Sequence, residues 1–222
     1  MERVSILIDG SNFYHLVLKK LSLEESQFNF DAFANFLANG RTITEKGKRF
    51  YTGTVREKEG DARSRVAMSK QTAFFTKLSK VNWELKTSKL KIRFEEIHID
   101  KRVVEYKELQ KAGITRITVE RLREKGIDVK LATDLIVGAV DDQYDTAIIV
   151  SSDSDLIPAI DWVRLRKKKK VEYIGFSVLD EKNPKNSTRP LLSLINKTDL
   201  QRTLVKSDLD SFIEKNLFTK QV

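Results

Sequence analysis

The sequence predicts a three-layer α/β/α protein with a central, mainly parallel sheet. Three observations carry this. Short apolar runs at Arg3–Ile8, Thr146–Ser151 and Val171–Phe176 read as strands. Segments with helical spacing separate them, as right-handed βαβ units require. The run TAIIVS is apolar throughout, which suits a strand covered on both faces.

Taken in order, RVSILI is a buried strand that ends in the turn Asp9-Gly10-Ser11-Asn12. Phe13–Leu21 has helical spacing, and Asp31–Leu37 reads as a short helix capped by Asp31. Lys48–Val55 is aromatic and β-branched, a strand. Asp61–Ser79 is a basic helix. Trp83–Ile99 reads as strand segments or a hairpin, and Arg116–Lys125 as helix or loop. Gly126 breaks the chain. Val129–Val140 is a helix with Asp128 at its cap. Asp155–Arg166 is a helix that holds Pro158 in its first turn. Asn183–Pro190 is a polar loop, and Arg189–Asn196 and Asp208–Asn216 are short helices. The expected organisation is one domain over residues 1–222, with a core at about 3–176 and a helical extension at about 187–222.

The chain has 222 residues, 40% of them hydrophobic, enough for a core. It has no Cys, which excludes disulfide scaffolds, thiol catalysis and thiolate metal sites. With His only at 15 and 98, a bound metal would need oxygen ligands. No apolar run approaches the ~20 residues of a membrane span. The N-terminus shows no secretory signal, and the expected location is cytoplasmic.

Charge is unevenly spread. The formal net charge is +9. Arg41–Lys125 carries 23 Lys+Arg against 12 Asp+Glu, whereas Gly126–Asp161 carries 8 Asp, no Glu and one Lys. Most charge runs are solvated faces. This acidic block, however, overlaps the most apolar stretches, and it uses Asp where a solvated helix would use Glu.

Ligands of open α/β sheets bind outside the carboxyl ends of the strands. Two strands end in acidic turns there, at Asp9 and at Ser151-Ser152-Asp153-Ser154-Asp155, and Asp128 opens a helix. Each alone reads equally well as a turn or cap residue. Together, Asp9, Asp128, Asp153 and Asp155 are expected to converge on one cleft, with Asp134 about 120° around the helix from Asp128. Two carboxylates ~4 Å apart repel by about 4 kcal/mol at an effective dielectric of 20, so a cation or protons must intervene. Oxygen ligands select Mg²⁺ or Mn²⁺, and the reaction class that follows is metal-assisted phosphodiester hydrolysis.

The segments VSILIDGSNFY, KGIDVKLATDLIVGAV and TAIIVSSDSDLIPAI, in that order, resemble the NYN family (the LabA-like group) of PIN-like nucleases. The resemblance spans roughly residues 3 to 176. It implies a PIN-like fold and Mg²⁺-dependent ribonuclease activity. It also implies a metal and catalytic set of Asp9, Asp128, Asp153 and Asp155, supported by Ser11, Asn12, Asp134 and Ser152. Position 152 is Ser where the family often has Gly.

Such a cleft needs cations to hold a polyanion. The candidates are Arg56, Lys58, Arg63 and Arg65, followed by Lys86, Lys89, Lys91 and Arg93. Tyr51, Phe50 and Trp83 are candidates to stack on bases, although Phe50 and Trp83 also suit the core. Lys167–Lys170 reads as a solvated loop at the opposite end of the sheet. The expected partner is RNA, single-stranded or structured, with no membrane; sheet edges or Asp208–Phe218 are candidate homodimer surfaces. A noncatalytic RNA-binding or assembly module of the same fold is the second reading. An adhesion-type D-x-S site would want Ser at position 13, where Phe13 stands, and a dehalogenase-type phosphatase would want Asp where Ser11 stands.

Overall fold

The computed structural model describes residues 1–55, 57, 60–89, 91–123, 126–181 and 183–214. Six parallel strands form the central sheet: β1 (Arg3–Asp9), β2 (Thr42–Thr54), β3 (Glu84–Lys89), β6 (Thr146–Val150), β7 (Lys170–Ser177) and β8 (Leu200–Val205). Their order is β3-β2-β1-β6-β7-β8. Strand order reverses direction beside β1, where one crossover runs to β2 and another arrives at β6. In sheets of this kind a crevice opens at that point.

The alternation of side chains along β1 divides the core in two. Ile6 and Ile8 face an aromatic layer built from Phe13, Phe28, Phe30, Phe33, Phe50 and Phe74. This layer is covered by α1 (Gly10–Phe13), α2 (Phe30–Ala38) and α3 (Ala62–Lys80). Leu7 faces the other way, onto Leu131, Leu135, Ile160 and Val163 of α5 (Ile127–Val140) and α6 (Ile157–Lys167). Val4, Ile6, Leu7 and Ile8 are fully buried, each stabilising the fold by roughly 1.5–3 kcal/mol. The same alternation puts Asp9 on the α5 side.

Several expectations need correction. The second helix is capped by Asn29, whose side chain accepts from Ala32 N–H; Asp31 lies in its first turn. Strand β2 begins at Thr42, six residues earlier than its aromatic run suggests. Of its two readings, Trp83–Ile99 is found as strand segments and not as a hairpin. It splits into β3, at the edge of the main sheet, and β4 (Lys91–His98), which pairs antiparallel with β5 (Arg116–Arg123) in a separate two-stranded ribbon. Within the segment expected as helix or loop, Arg116–Arg123 is therefore a strand, and residues 124–125 lie outside the described residues. The short helix α4 (Tyr106–Lys111) lies between β4 and β5.

The extension at 187–222 is not purely helical. Besides α7 (Leu192–Ile195) and α8 (Lys206–Leu209), it supplies β8, the sixth strand. Residues 215–222, including the end of the expected Asp208–Asn216 helix, lie outside the described residues. Among the described residues, no helix is long and apolar enough to cross a membrane.

Candidate active site

The carboxyl ends of β1 and β6 lie side by side, because Ile8 pairs with Val150. An open cleft of about 360 Å³ sits over them. It is lined by Asp9, Ser11, Asn12, His15, Leu16, Gly126, Ile127, Asp128 and Asp153. Three of the four aspartates expected to meet therefore share one cleft, and each comes from a different segment.

Asp9 is 9% exposed and ends β1. Its Oδ1 accepts the Asn12 backbone N–H at 2.9 Å, and the Ser151 hydroxyl donates to its Oδ2 at 3.3 Å. The turn depends on a close approach. A Cβ on Gly10 would sit 2.3 Å from the Phe50 ring and 3.0 Å from the Tyr51 carbonyl oxygen. Asn12 then ties the two strand ends together, since its Oδ1 accepts the Ser152 N–H at 2.9 Å. The Ser152 hydroxyl lies 3.0 Å from the Tyr173 hydroxyl. Ser152 thus stands in a hydrogen-bonded frame where the family often has Gly.

Asp128 is not the helix cap. Gly126 caps α5 at φ +79°, a left-handed conformation in which L side chains are strained, and Asp128 is the second helical residue. In this first turn its carboxylate is favoured by the helix dipole. Asp153 Oδ1 accepts the Asp155 N–H at 2.9 Å, capping the 3₁₀ turn Ser154–Leu156. That turn carries Asp155 away. Its side chain is exposed and lies outside the cleft lining.

Asp134 is also outside the lining. Its Oδ2 accepts the Tyr51 hydroxyl at 2.9 Å and lies 3.6 Å from Lys86 Nζ. Tyr51 pairs with Asp9 across β1 and β2, so Asp134 supports the strand beside Asp9 rather than the cleft itself. Tyr51 is fully buried, which removes it as a stacking platform. Burial, then Asp134, pushes the Tyr51 phenol well above its ordinary range, so it serves as a donor. Phe50 and Trp83 are core residues, as one of their two readings had it. Among the candidate RNA-binding residues, Arg63 is exposed in the first turn of α3, and Arg65 pairs with Glu57 at 2.7 Å. Arg56 and Lys58 lie outside the described residues.

Among the described residues, none that lines the cleft is Lys or Arg. His15, at the rim, has its pKa lowered by burial and by Lys19 and Lys20, so its ring is neutral near pH 7 and does not offset the carboxylates. Among the described residues, however, no three His, Asp or Glu side chains are close enough to hold one ion together. Ligation by four aspartates in one shell is therefore not what the geometry offers. The donor chemistry still suits a hard cation: all of the acidic donors are oxygen. Mg²⁺ commonly takes one or two carboxylates and fills its remaining positions with water and substrate phosphate.

Missed by the sequence reading was Ser151. It is 1% exposed and sits in register beside Asp9 at the end of β6. Its hydroxyl, besides donating to Asp9, accepts the Asp153 N–H at 3.2 Å. The signal was present: Ser151 closes an apolar strand, where a buried hydroxyl needs partners.

A search of curated proteins finds no match. One solved structure that the chain resembles is the crystal structure of a protein of unknown function from Vibrio parahaemolyticus. It is 20% identical, covers 96% of each chain and superposes with a TM-score of 0.53, a likeness of fold. A family model described as NYN domain matches residues 3–197, nearly the whole described chain. With its parallel sheet flanked by helices and its cleft at the strand ends, the chain belongs to the NYN domain family of PIN-like nucleases.

Proposed function

We propose that the protein is a divalent-metal-dependent ribonuclease that hydrolyses RNA phosphodiester bonds in this cleft. The observation that carries the reading is the meeting of Asp9, Asp128 and Asp153 in a cleft that no Lys or Arg lines among the described residues. At the amino ends of the strands, by contrast, Asp142, Asp145 and Glu172 are held by Arg3, Lys169, Arg41 and Arg202.

Asp9, Asp128 and Asp153 would hold Mg²⁺ or Mn²⁺ directly or through water. When bound, the ion neutralises phosphate charge and eases deprotonation of the attacking water. The chain's own residues supply positioning. Asn12 N–H and the Ser151 hydroxyl fix the Asp9 carboxylate, and the Asp155 N–H fixes that of Asp153. The neutral ring of His15 leaves the negative potential of the cleft intact.

The test combines turnover and binding. Wild-type protein with Mn²⁺ or Mg²⁺ is expected to cleave RNA, EDTA to stop it, and Asp153→Asn or Asp9→Asn to lower the rate at least about 100-fold. At an ion concentration 100 times Kd, thermal unfolding should shift by the equivalent of about 2.7 kcal/mol, a gain that Asp153→Asn loses. RNA binding that persists in EDTA, with no cleavage under any metal, would replace this reading by a noncatalytic RNA-binding module.

A further inference from the structure

Among the described residues, no side chain of the β4–β5 ribbon belongs to either core cluster. Its strands pair with each other along their whole length, Lys91 opposite Arg123 through His98 opposite Arg116. Neither belongs to the six-stranded sheet, and among the described residues neither makes extensive contact with any other element. An isolated two-stranded ribbon is marginal in water, and like charges opposite one another weaken it further. Yet the register sets Arg93 opposite Arg121 and, one same-face step nearer the base, Lys91 opposite Arg123. Arg93 and Arg121 are both exposed. Arg121 leans on Glu95 at 3.3 Å, whereas Arg93 makes no ion pair among the described residues.

The base of this arm adjoins the cleft through the chain itself. Arg123 precedes Gly126, a cleft residue, by three positions, which at ~3.6 Å per residue is at most about 11 Å. Arg121 is five positions away, at most about 18 Å. At a rise of roughly 3.4 Å, the two distances correspond to about 3 to 5 stacked nucleotides. A carboxylate-lined cleft repels a polyanion, so affinity for one has to come from outside it. Among the described residues the cleft lining offers no Lys or Arg, and the ribbon that leads the chain into Gly126 presents paired arginines.

We propose that the Arg93–Arg121 face of the β4–β5 arm grips the phosphate backbone of the RNA strand whose reacting bond lies in the aspartate cleft. The choice of RNA rests on the nuclease reading above; the grip itself is a binding property that needs neither metal nor turnover. Charge complementarity favours a polyanionic strand over a protein partner.

The experiment uses the full chain in EDTA and a labelled single-stranded RNA longer than the reach from cleft to arm, with affinity measured across a salt series. Arg93→Ala/Arg121→Ala is expected to weaken binding about 10-fold at low salt. It should also flatten the slope of log affinity against log salt by about 1.4, the loss of two phosphate contacts at ~0.7 each. Arg93→Lys/Arg121→Lys should keep the slope. With metal present, a dinucleotide too short to reach the arm should be cleaved by the Ala pair at the wild-type rate. Wild-type affinity and slope in the Ala pair would overturn the proposal. So would equal losses in the Lys and Ala pairs, which would mark a change of fold rather than of charge. Should the nuclease reading fail, no variant cleaves under any metal, and the binding comparison still decides the arm.

Discussion

The two ends of the sheet treat charge in opposite ways. At the amino end, Arg3 clasps Asp145 through its backbone N–H at 2.8 Å and its guanidinium at 2.7 Å, and it also reaches Asp142. Lys169 joins both aspartates, so the run read as a solvated loop is partly a structural clamp. Further along that end, Arg41 and Arg202 close on Glu172, whose side chain is 3% exposed. At the carboxyl end, three aspartates line a cleft that, among the described residues, no Lys or Arg lines. Both ends are acidic in sequence. At the amino end the counter-charges are Arg3, Lys169, Arg41 and Arg202 themselves, which teaches that the count of aspartates says less about function than where their counter-charges lie.

The comparison can be broken most severely at the amino end. Glu172→Ala leaves Arg41 and Arg202 without their buried partner and is expected to cost about 3–5 kcal/mol in urea unfolding. A loss below 1 kcal/mol would show that the pairing there is not structural. Gly10→Ala is next: its methyl group must displace the Phe50 ring, at roughly 1–3 kcal/mol, and RNA cleavage should fall as the Asp9 turn shifts. Wild-type stability with full activity would mean that the turn accommodates a side chain.

A pH titration extends the contrast to a second cavity of about 320 Å³, lined by Glu25, Val55, Gln71 and Phe74 among others. Burial pushes Glu25 up to about 7, and its carboxyl makes no ion pair among the described residues. The folded protein holds this proton while the unfolded chain releases it near pH 4.5. Stability should therefore fall as pH rises from 4.5 through 7, by roughly 1–2 kcal/mol for a partly exposed group. Glu25→Gln should flatten that part of the profile; an unchanged profile would assign the trend to other groups.

The smallest effects are the most diagnostic, because their signs differ. Asp145→Asn should lose about 0.5–1 kcal/mol near pH 7, its half-exposed ion pair being screened by solvent. Arg3 holds the Asp145 carboxyl far below its usual range. The contribution is thus present above the unfolded value and disappears as pH falls through the acid range. Asp153→Asn keeps a side chain able to cap the following turn, and without metal it should be neutral or up to about 1 kcal/mol more stable. Equal destabilisation by the two substitutions would erase the distinction between the ends.

The doubly covered strands were legible because TAIIVS and VEYIGF are apolar on both faces, which leaves little else for them to be. The acidic cleft was legible because Asp9 and Asp153 immediately follow such strands. What escaped was local or edge-dependent. Asp155 shares the S-x-D-S-D motif with Asp153, yet one 3₁₀ turn separates their directions. Asp128 looked like a cap until the positive φ of Gly126 started the helix two residues earlier. Tyr51 sits in a strand whose sequence does not say which face meets Asp134. Strand β8, LQRTLV, is an edge strand with one buried residue, too polar for a periodicity argument. In β5 the alternation of Ile117 and Val119 ends at Arg121, and among the described residues its strand partner is β4 alone.

The arm's attachment has an evolutionary consequence. Chain departure at Lys91 and return at Arg123 face each other in the ribbon register, about 5 Å apart between Cα atoms. The strands between them pair with each other and not with the main sheet, so the order of the six central strands does not depend on the length of this excursion. Relatives can therefore differ in reach by lengthening or trimming this one excursion, while the aspartate cleft stays under separate selection.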